Sequence, residues 1–507
     1  MAKQANTLSL GTDNIGGLLW RYAAPAIIAM ASSSLYHIAD SVFVGHGVGG
    51  AAIAGMAITM PIMNIAGAFG AMVGVGAAAR MSIRLGEGNM QAAEKTLANA
   101  VMLNFVLGLV LMVVMLTFLD PILHLFSGGN ASPETLKHAR DFMKIILLGN
   151  MTQHMYLGLN EQIRASGYPQ KSMRIILTAV GMNLLLDYIF IFKFGWGIKG
   201  AALATVIAQA ISFLTTFTHF CFKDSFVRFR RAAFVFDWKI VKAIISIGLA
   251  PFMVNICASM VAAFVNTALL RYGGTGVHDV VKTAGSADLY VGAYGIANRV
   301  VMLLIMVIQG LNQGMQPIVG FNYGAKQYDR VRKALYMTIA CGMTISTLGF
   351  LACQLFPEGI AHAFVDSARG GDESLMIAAA AQGMRLIVIL FPIVGFQIVA
   401  AAFFQYIGHA KLAIFVSMTR QLLFLLPLLW IIPQYLGATG VWVSMPIADC
   451  ASVTLATILL YRELDFSLSD IRQILDSADF DRETALSQQI CLLELQLSLF
   501  QPMVPSL

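Results

Sequence analysis

Twelve stretches of this chain stay apolar for about 20 residues or more, the length that the hydrocarbon core of a bilayer demands of a helix. They run over residues 20–44, 53–81, 97–119, 142–163, 173–194, 200–222, 240–270, 289–321, 334–356, 375–407, 412–432 and 441–460. In lipid a backbone has no water to bond to, so runs of this length commit the chain to helices that satisfy their own N–H and C=O groups. Of 507 residues 58% are hydrophobic and only 12% charged, about half the charged share of a soluble protein. The fold class that follows is an all-α membrane protein with twelve transmembrane helices.

The twelve spans are two sets of six. Pro25 and Asp40 stand opposite Pro251 and Asn266 at one offset (251 − 25 = 266 − 40 = 226), and Gly76 and Gly86 stand opposite Gly314 and Gly324 at 238. Further on, Gly167 meets Gly408, and Gly197-Ile-Lys-Gly200 meets Gly437-Ala-Thr-Gly440. An even number of spans per copy makes both copies enter the membrane in the same direction, so they are parallel repeats about an axis along the membrane normal. The expected plan is an N-terminal tail (1–15), a first lobe of six helices (16–222), an interfacial linker (223–239), a second lobe of six (240–463) and a C-terminal tail (464–507).

Orientation is read from Lys and Arg in the short loops. Arg80, Arg84, Lys95, Lys171, Arg174, the linker cations, Lys326, Arg330, Arg332 and Lys333 fall on one side, the side of both termini. That side is expected to be cytoplasmic, in the inner membrane of a bacterium. The net charge of +6 follows from this bias and calls for no nucleic acid. The linker alternates cations with aromatics from Lys223 to Lys239, which suits a segment in the headgroup layer. Met1–Gly17 lacks the basic and apolar regions of a cleavable signal. Cys221, Cys257, Cys341, Cys353, Cys450 and Cys491 show no metal-ligand spacing and are expected to be reduced, those of the spans buried. There is no Gly-x-x-x-x-Gly-Lys-Ser/Thr, so neither ATP nor an ATPase subunit is expected to supply energy.

The first copy carries Asp40 and Asp187 inside its spans where the second has Asn266 and Leu428, and an acid in a span is a functional-site hypothesis because its charge is costly in hydrocarbon. Asp40 lies five residues before Gly45, Asp187 seven before Phe194, and Thr205 five after Gly200, which places all three at similar depth near the outer mouth. Tyr36, Asn183 and Gln209 lie one turn below them on the same helix faces. Two carboxylates, an amide oxygen, a hydroxyl and a phenol suit a proton or a hard monovalent cation. Asp40, Asp187, Asn183, Thr205 and Tyr36 are therefore the cation-coupling candidates. For sodium the ligands are Asp40, Asn183, Asp187 and Thr205, and no other cofactor is expected. His37 and Gln209 are accessory polar candidates. The competing structural roles are a helix-end cap for Asp40 and pairing with Lys193 or Lys199 for Asp187. In the second copy Arg420 and Asp449 are expected to pair.

The architecture and several motifs together resemble the multidrug and toxic compound extrusion (MATE) transporters, bacterial branch. The motifs are Ala-Asp40-Ser-Val-Phe-Val-Gly, Arg-Leu-Gly86-Glu-Gly-Asn, Arg164-Ala-Ser-Gly-Tyr-Pro169, Asn183-x-x-x-Asp187, Gly197-Ile-Lys-Gly-Ala-Ala-x-Ala-Thr205, Pro317-Ile-Val-Gly-Phe-Asn-Tyr-Gly and Arg420-Gln-x-x-x-x-x-Pro427. The resemblance implies a two-lobed antiporter, no enzyme, with substrate between the lobes and a first-lobe cation site at Asp40, Asn183, Asp187 and Thr205 with Tyr36 nearby. Some members of that family hold further acids in the seventh and tenth spans. Here those stretches read Ile256-Cys-Ala-Ser-Met-Val and Phe391-Pro-Ile-Val-Gly-Phe-Gln397, with no carboxylate.

The expected function is efflux of small-molecule drugs or toxic metabolites, amphipathic and often cationic, driven by protons or sodium. A flippase of lipid-linked saccharides is one rival, but it needs a cationic cavity for pyrophosphate where this chain offers acids. An intramembrane aspartyl protease using Asp40 and Asp187 is another, yet Leu185-Leu-Asp187-Tyr lacks the Gly-x-Gly-Asp pattern. A channel is the third.

Overall fold

The computed structural model describes residues 9–127, 132–222, 226–277, 279–281, 286–362 and 373–465. Among the described residues there are helices and no strand. Met1–Ala456 form one compact unit, and of the second, Thr457–Leu507, only the last turns of a helix to residue 465 are described. The acidic and Leu-rich tail that begins at 464 thus lies almost wholly outside the described residues.

Twelve helices correspond to the twelve apolar stretches. The first six are α1 (Ile15–Gly47), α2 (Gly50–Gly86), α3 (Met90–Thr117), α4 (Pro133–Ala165), α5 (Pro169–Asp187, prolonged by a π turn at Tyr188–Lys193) and α6 (Gly197–Cys221). The second six are α7 (Trp238–Tyr272), α8 (Ser286–Gly324), α9 (Tyr328–Leu355), α10 (Glu373–Ile387 with Phe391–Tyr406), α11 (Ala410–Met418 through Ile431) and α12 (Pro433–Asp465). Side-chain caps fix several starts: Asn14, Asn89 and Asp237 accept from Gly16, Ala92 and Lys239 N–H at 3.0, 3.0 and 2.8 Å. Such caps satisfy donors that the first helical turn leaves without partners.

Among the described residues ten helices are long and apolar enough to cross a membrane, and α10 makes an eleventh as a pair bent by 58°. The sequence reads residues 375–407 as one span; Pro392, at the start of the second half, breaks it because proline lacks the N–H and crowds the preceding turn. The twelfth, α4, is 33 residues long but carries charges at both ends. It is placed by packing: Gly55, Gly70 and Gly74 of α2 face Ala139, His154 and Gly158 at one offset (139 − 55 = 154 − 70 = 158 − 74 = 84). A Cβ at those glycines would lie 3.0, 2.7 and 3.2 Å from α4 atoms, so small residues hold the two parallel helices together along most of their length.

The two sets of six meet near the end where α1 begins. Carbonyls of one set occupy the space over glycines of the other. A Cβ on Gly86 would stand 1.9 Å from Phe321 O, and one on its repeat partner Gly324 would stand 2.0 Å from Ile83 O. Ile83 and Phe321 are themselves equivalents (321 − 83 = 324 − 86 = 238), so the contact is two-fold symmetric. Gly76 and Gly248 meet Ile244 O and Met72 O in the same way, and Phe69 packs on Phe252 with ring centroids 4.7 Å apart. Along α1 and the residues just before it the contacts run from Leu10 to Met30, and along α8 from Gly310 to Asn322. Arg330 fastens this end, donating to Asn322 Oδ1 at 2.8 Å and to the carbonyls of Leu10 and Asp13 at 3.0 and 2.7 Å.

The cysteine expectation needs correction. Cys257 and Cys353 are buried, but Cys221, Cys341 and Cys450 are exposed.

Candidate functional site

Two helices meet α1 at its far end. The segment Phe190–Trp196 folds its rings on one another, Phe190 with Trp196 at 5.0 Å and Phe194 with Trp196 at 5.2 Å. Gly200 lets α6 start directly against Phe190, 2.9 Å from where its Cβ would be. This tight turn brings Asn183 and Asp187 of α5 against Thr205 of α6, and α1 adds Tyr36 and Asp40 one turn apart.

Thr205 is the hub. Its hydroxyl stands 3.3 Å from the Tyr36 hydroxyl, 3.2 Å from the Asn183 amide and 3.1 Å from Ala201 O. In the amide orientation that satisfies both ends of Asn183, its NH2 donates to Asp187 Oδ2 at 2.9 Å and its oxygen accepts from Thr205 Oγ1 and Thr205 N at 3.2 and 3.1 Å. Asp187 is 0% and Asp40 5% exposed. The charge of Asp40 acts on both Asp187 and Tyr36, so the five residues share one neighbourhood. Gln209 lies one turn along α6, partly exposed, and makes no hydrogen bond to this cluster among the described residues. The side chain of His37 lies outside the described residues.

Five acids are buried among the described residues: Asp40, Glu94, Asp187, Asp279 and Asp449. Three are compensated. Glu94 accepts from Arg230 at 2.9 Å, and Asp449 pairs with Arg420 as the sequence suggests. Asp279, which sequence reasoning missed, accepts from Gly276 N, Ala438 N, Thr439 N and Thr439 Oγ1 at 2.8–3.1 Å. It thereby ties the loop before α8 to the start of α12, where Gly437 has φ 63. The remaining two differ: Asp40 Oδ1 and Asp187 Oδ1 are buried without a hydrogen-bond partner, and neither forms an ion pair among the described residues. Both structural alternatives fail. Lys199 pairs with Asp141 at 3.3 Å instead, and Asp40 sits inside α1, seven residues before its end at Gly47 (47 − 40 = 7).

Chemically the cluster is a set of hard oxygen donors with two acceptor atoms to spare, which fits a proton or a small cation. No group of three His, Cys, Asp or Glu side chains suited to a transition metal occurs among the described residues. The second copy does not repeat the pocket: opposite Asp40, Asn266 is exposed, and opposite Asn183 and Asp187 (424 − 183 = 428 − 187 = 408 − 167 = 241) Phe424 and Leu428 are half-buried apolar residues. Sequence reasoning also missed the polar face of α4. Asn150, His154 and Gln162 are buried there, and Glu161 pairs with Arg164, which reaches Gln313 of α8 at 2.8 Å. The spacing Asn150, His154, Gly158, Gln162 was its visible signal.

A chain of twelve membrane-crossing helices in two lobes, with a carboxylate pocket in one lobe and a deep contact between lobes at one end, belongs to the class of membrane transporters rather than enzymes. Its family is shown by sequence: the MatE family model matches residues 25–189 and 277–431, and this chain belongs to that family. A multidrug export protein MepA of Staphylococcus haemolyticus (strain JCSC1435) is 25% identical over 443 residues, 87% of this chain and 92% of that protein. A MepA of Staphylococcus aureus (strain MW2) is 24% identical over 90% of this chain and 96% of its own length. Among solved structures, the MATE multidrug transporter DinF-BH, determined as a complex, is 33% identical, with TM-score 0.79 over 89% of this chain and 96% of that one. A multidrug resistance MATE family transporter of the MOP superfamily, solved in an outward-facing conformation, has TM-score 0.82 at 22% identity over 90% and 97% of the two chains, which is a likeness of fold.

Proposed function

We propose that this protein is a cation-coupled antiporter that exports amphipathic, often cationic organic compounds by alternating access, with protons or sodium entering through the pocket of Asp40, Asp187, Asn183, Thr205 and Tyr36. One observation carries the reading: of the five acids buried among the described residues, only Asp40 and Asp187 keep a buried oxygen without a hydrogen-bond partner. Burying a carboxylate without compensation is costly, so the pocket favours whatever neutralises it, a proton on one carboxyl or sodium among Asp40, Asn183, Asp187 and Thr205. The names of the MepA proteins and of DinF-BH support multidrug substrates. The contacts that join the lobes at the end where α1 begins support an outward-open state, if both termini are cytoplasmic as the loop charges imply. On this reading the lobes are residues 16–222 and 240–463, and the protein lies in the cytoplasmic membrane.

Coupling requires that cation and drug bind the two states differently, and by linkage each weakens the other by the same factor. In proteoliposomes with pH and sodium gradients imposed one at a time, one gradient should drive drug movement. Asp40→Asn and Asp187→Asn should each abolish that dependence while both variants still insert and fold. Gradient-driven transport at the unsubstituted rate in either variant would refute the assignment.

A further inference from the structure

The strap between α6 and α7 has two faces that do not match. Val227 and Ala233 point inward and are buried. The strap is held to α3 by Asn99, whose amide donates to Val235 O at 3.1 Å and accepts from Asp237 N at 2.9 Å, and by Arg230 on Glu94. The outward face is a ridge of Phe234, Val235, Phe236 and Trp238, the last two 55% and 64% exposed, flanked by exposed Arg231, Lys239 and Lys242. The single acid between residues 226 and 242, Asp237, is turned to the helix as the cap of α7.

Four large apolar side chains facing water in so short a segment would be a costly surface. Their depth resolves the cost. The strap leaves α6 at Cys221 and enters α7 at Trp238, so it lies where both helices emerge from the hydrocarbon, the layer in which aromatic rings and cations are enriched. We propose that this ridge is a binding surface for anionic phospholipid: the rings enter the headgroup layer, and Arg231, Lys239 and Lys242 hold the phosphates. The charge argues for anionic over zwitterionic lipid, since three exposed cations face outward with no acid among them. Because Asn99 fixes the strap to α3 and α7 continues to Gly248 on Met72 of α2, lipid held here bears on the contact between lobes at this end. The proposal is independent of which cation drives transport.

Bromine on an acyl chain quenches tryptophan only at contact, and Trp238 lies on the ridge. In mixed vesicles of phosphatidylcholine and phosphatidylglycerol, brominated on one lipid or the other, the emission lost on Trp238→Phe isolates this residue from the other tryptophans. It should be quenched severalfold more by brominated phosphatidylglycerol than by brominated phosphatidylcholine. Arg231→Gln, Lys239→Gln and Lys242→Gln combined should erase the preference and keep the quenching. Equal quenching by both lipids, no quenching by either, or a preference that survives the triple substitution would each overturn the proposal.

Discussion

Gly86→Ala tests the contact between lobes directly. The methyl group would stand 1.9 Å from Phe321 O, whereas a carbon and a carbonyl oxygen in contact keep about 3.3 Å, so the backbones must part by roughly 1.4 Å. The opposing atom is main chain of α8, and no side-chain rotation relieves the clash. Overpacking of this kind costs about 1–3 kcal/mol, charged only to the state in which the lobes touch here. At about 1.4 kcal/mol per factor of ten, the population with this end parted should rise roughly 5- to 140-fold. Ser82 is buried at the same contact, beneath Gly320. A cysteine there, in a background with the exposed native cysteines replaced, should react with a maleimide in proportion to that population. The Ser82→Cys rate should therefore climb by the same factor when Gly86→Ala is added, and stay put with Gly67→Ala, whose Cβ would meet nothing within 4 Å. An unchanged rate with Gly86→Ala in a folded, correctly inserted protein would show that the glycine contact does not hold the lobes together.

Thr205→Val keeps the shape of the hub and removes the hydroxyl that Tyr36 and Asn183 share; transport should fall with a loss of about 1–3 kcal/mol in cation affinity, read from the cation dependence of the initial rate, and an unaltered dependence would exclude Thr205 from the site. Asp449→Asn should cost about 3–5 kcal/mol of stability by leaving the Arg420 guanidinium unpaired, read as a lowered melting temperature in detergent. Arg420→Met with Asp449→Leu should recover most of it; no recovery would mean that the pair does more than cancel charge.

The helices and their two-fold arrangement were legible because hydrocarbon thickness fixes span length and a duplication leaves its register in Pro25/Pro251 and Gly86/Gly324. The pocket was legible for a similar reason: acids are so costly in a span that Asp40 and Asp187 stand out, depth counted from Gly200 supplied Thr205, and helical periodicity supplied Tyr36 and Asn183. What stayed hidden depends on partners far away in sequence. The role of Asp279 needs the backbone of Ala438 and Thr439, and no local pattern announces that. The bend in α10 was written in Pro392 but masked by an unbroken apolar run. The polar face of α4 escaped because charged ends lowered its hydropathy and hid the spacing of Asn150 and His154.

Arg330 grips the carbonyl of Leu10 across 320 residues of sequence, and that separation is also an interval of time. A ribosome adding about 5–20 residues each second delivers Arg330 roughly 15–65 s after Leu10. Asn183, Asp187 and Thr205 all emerge well before then, and each of their partners already exists. The first lobe can therefore assemble its pocket as a finished unit during synthesis, while the clasp on the chain's own beginning waits for the ninth helix. In a nascent protein the pocket precedes the clasp that joins the lobes.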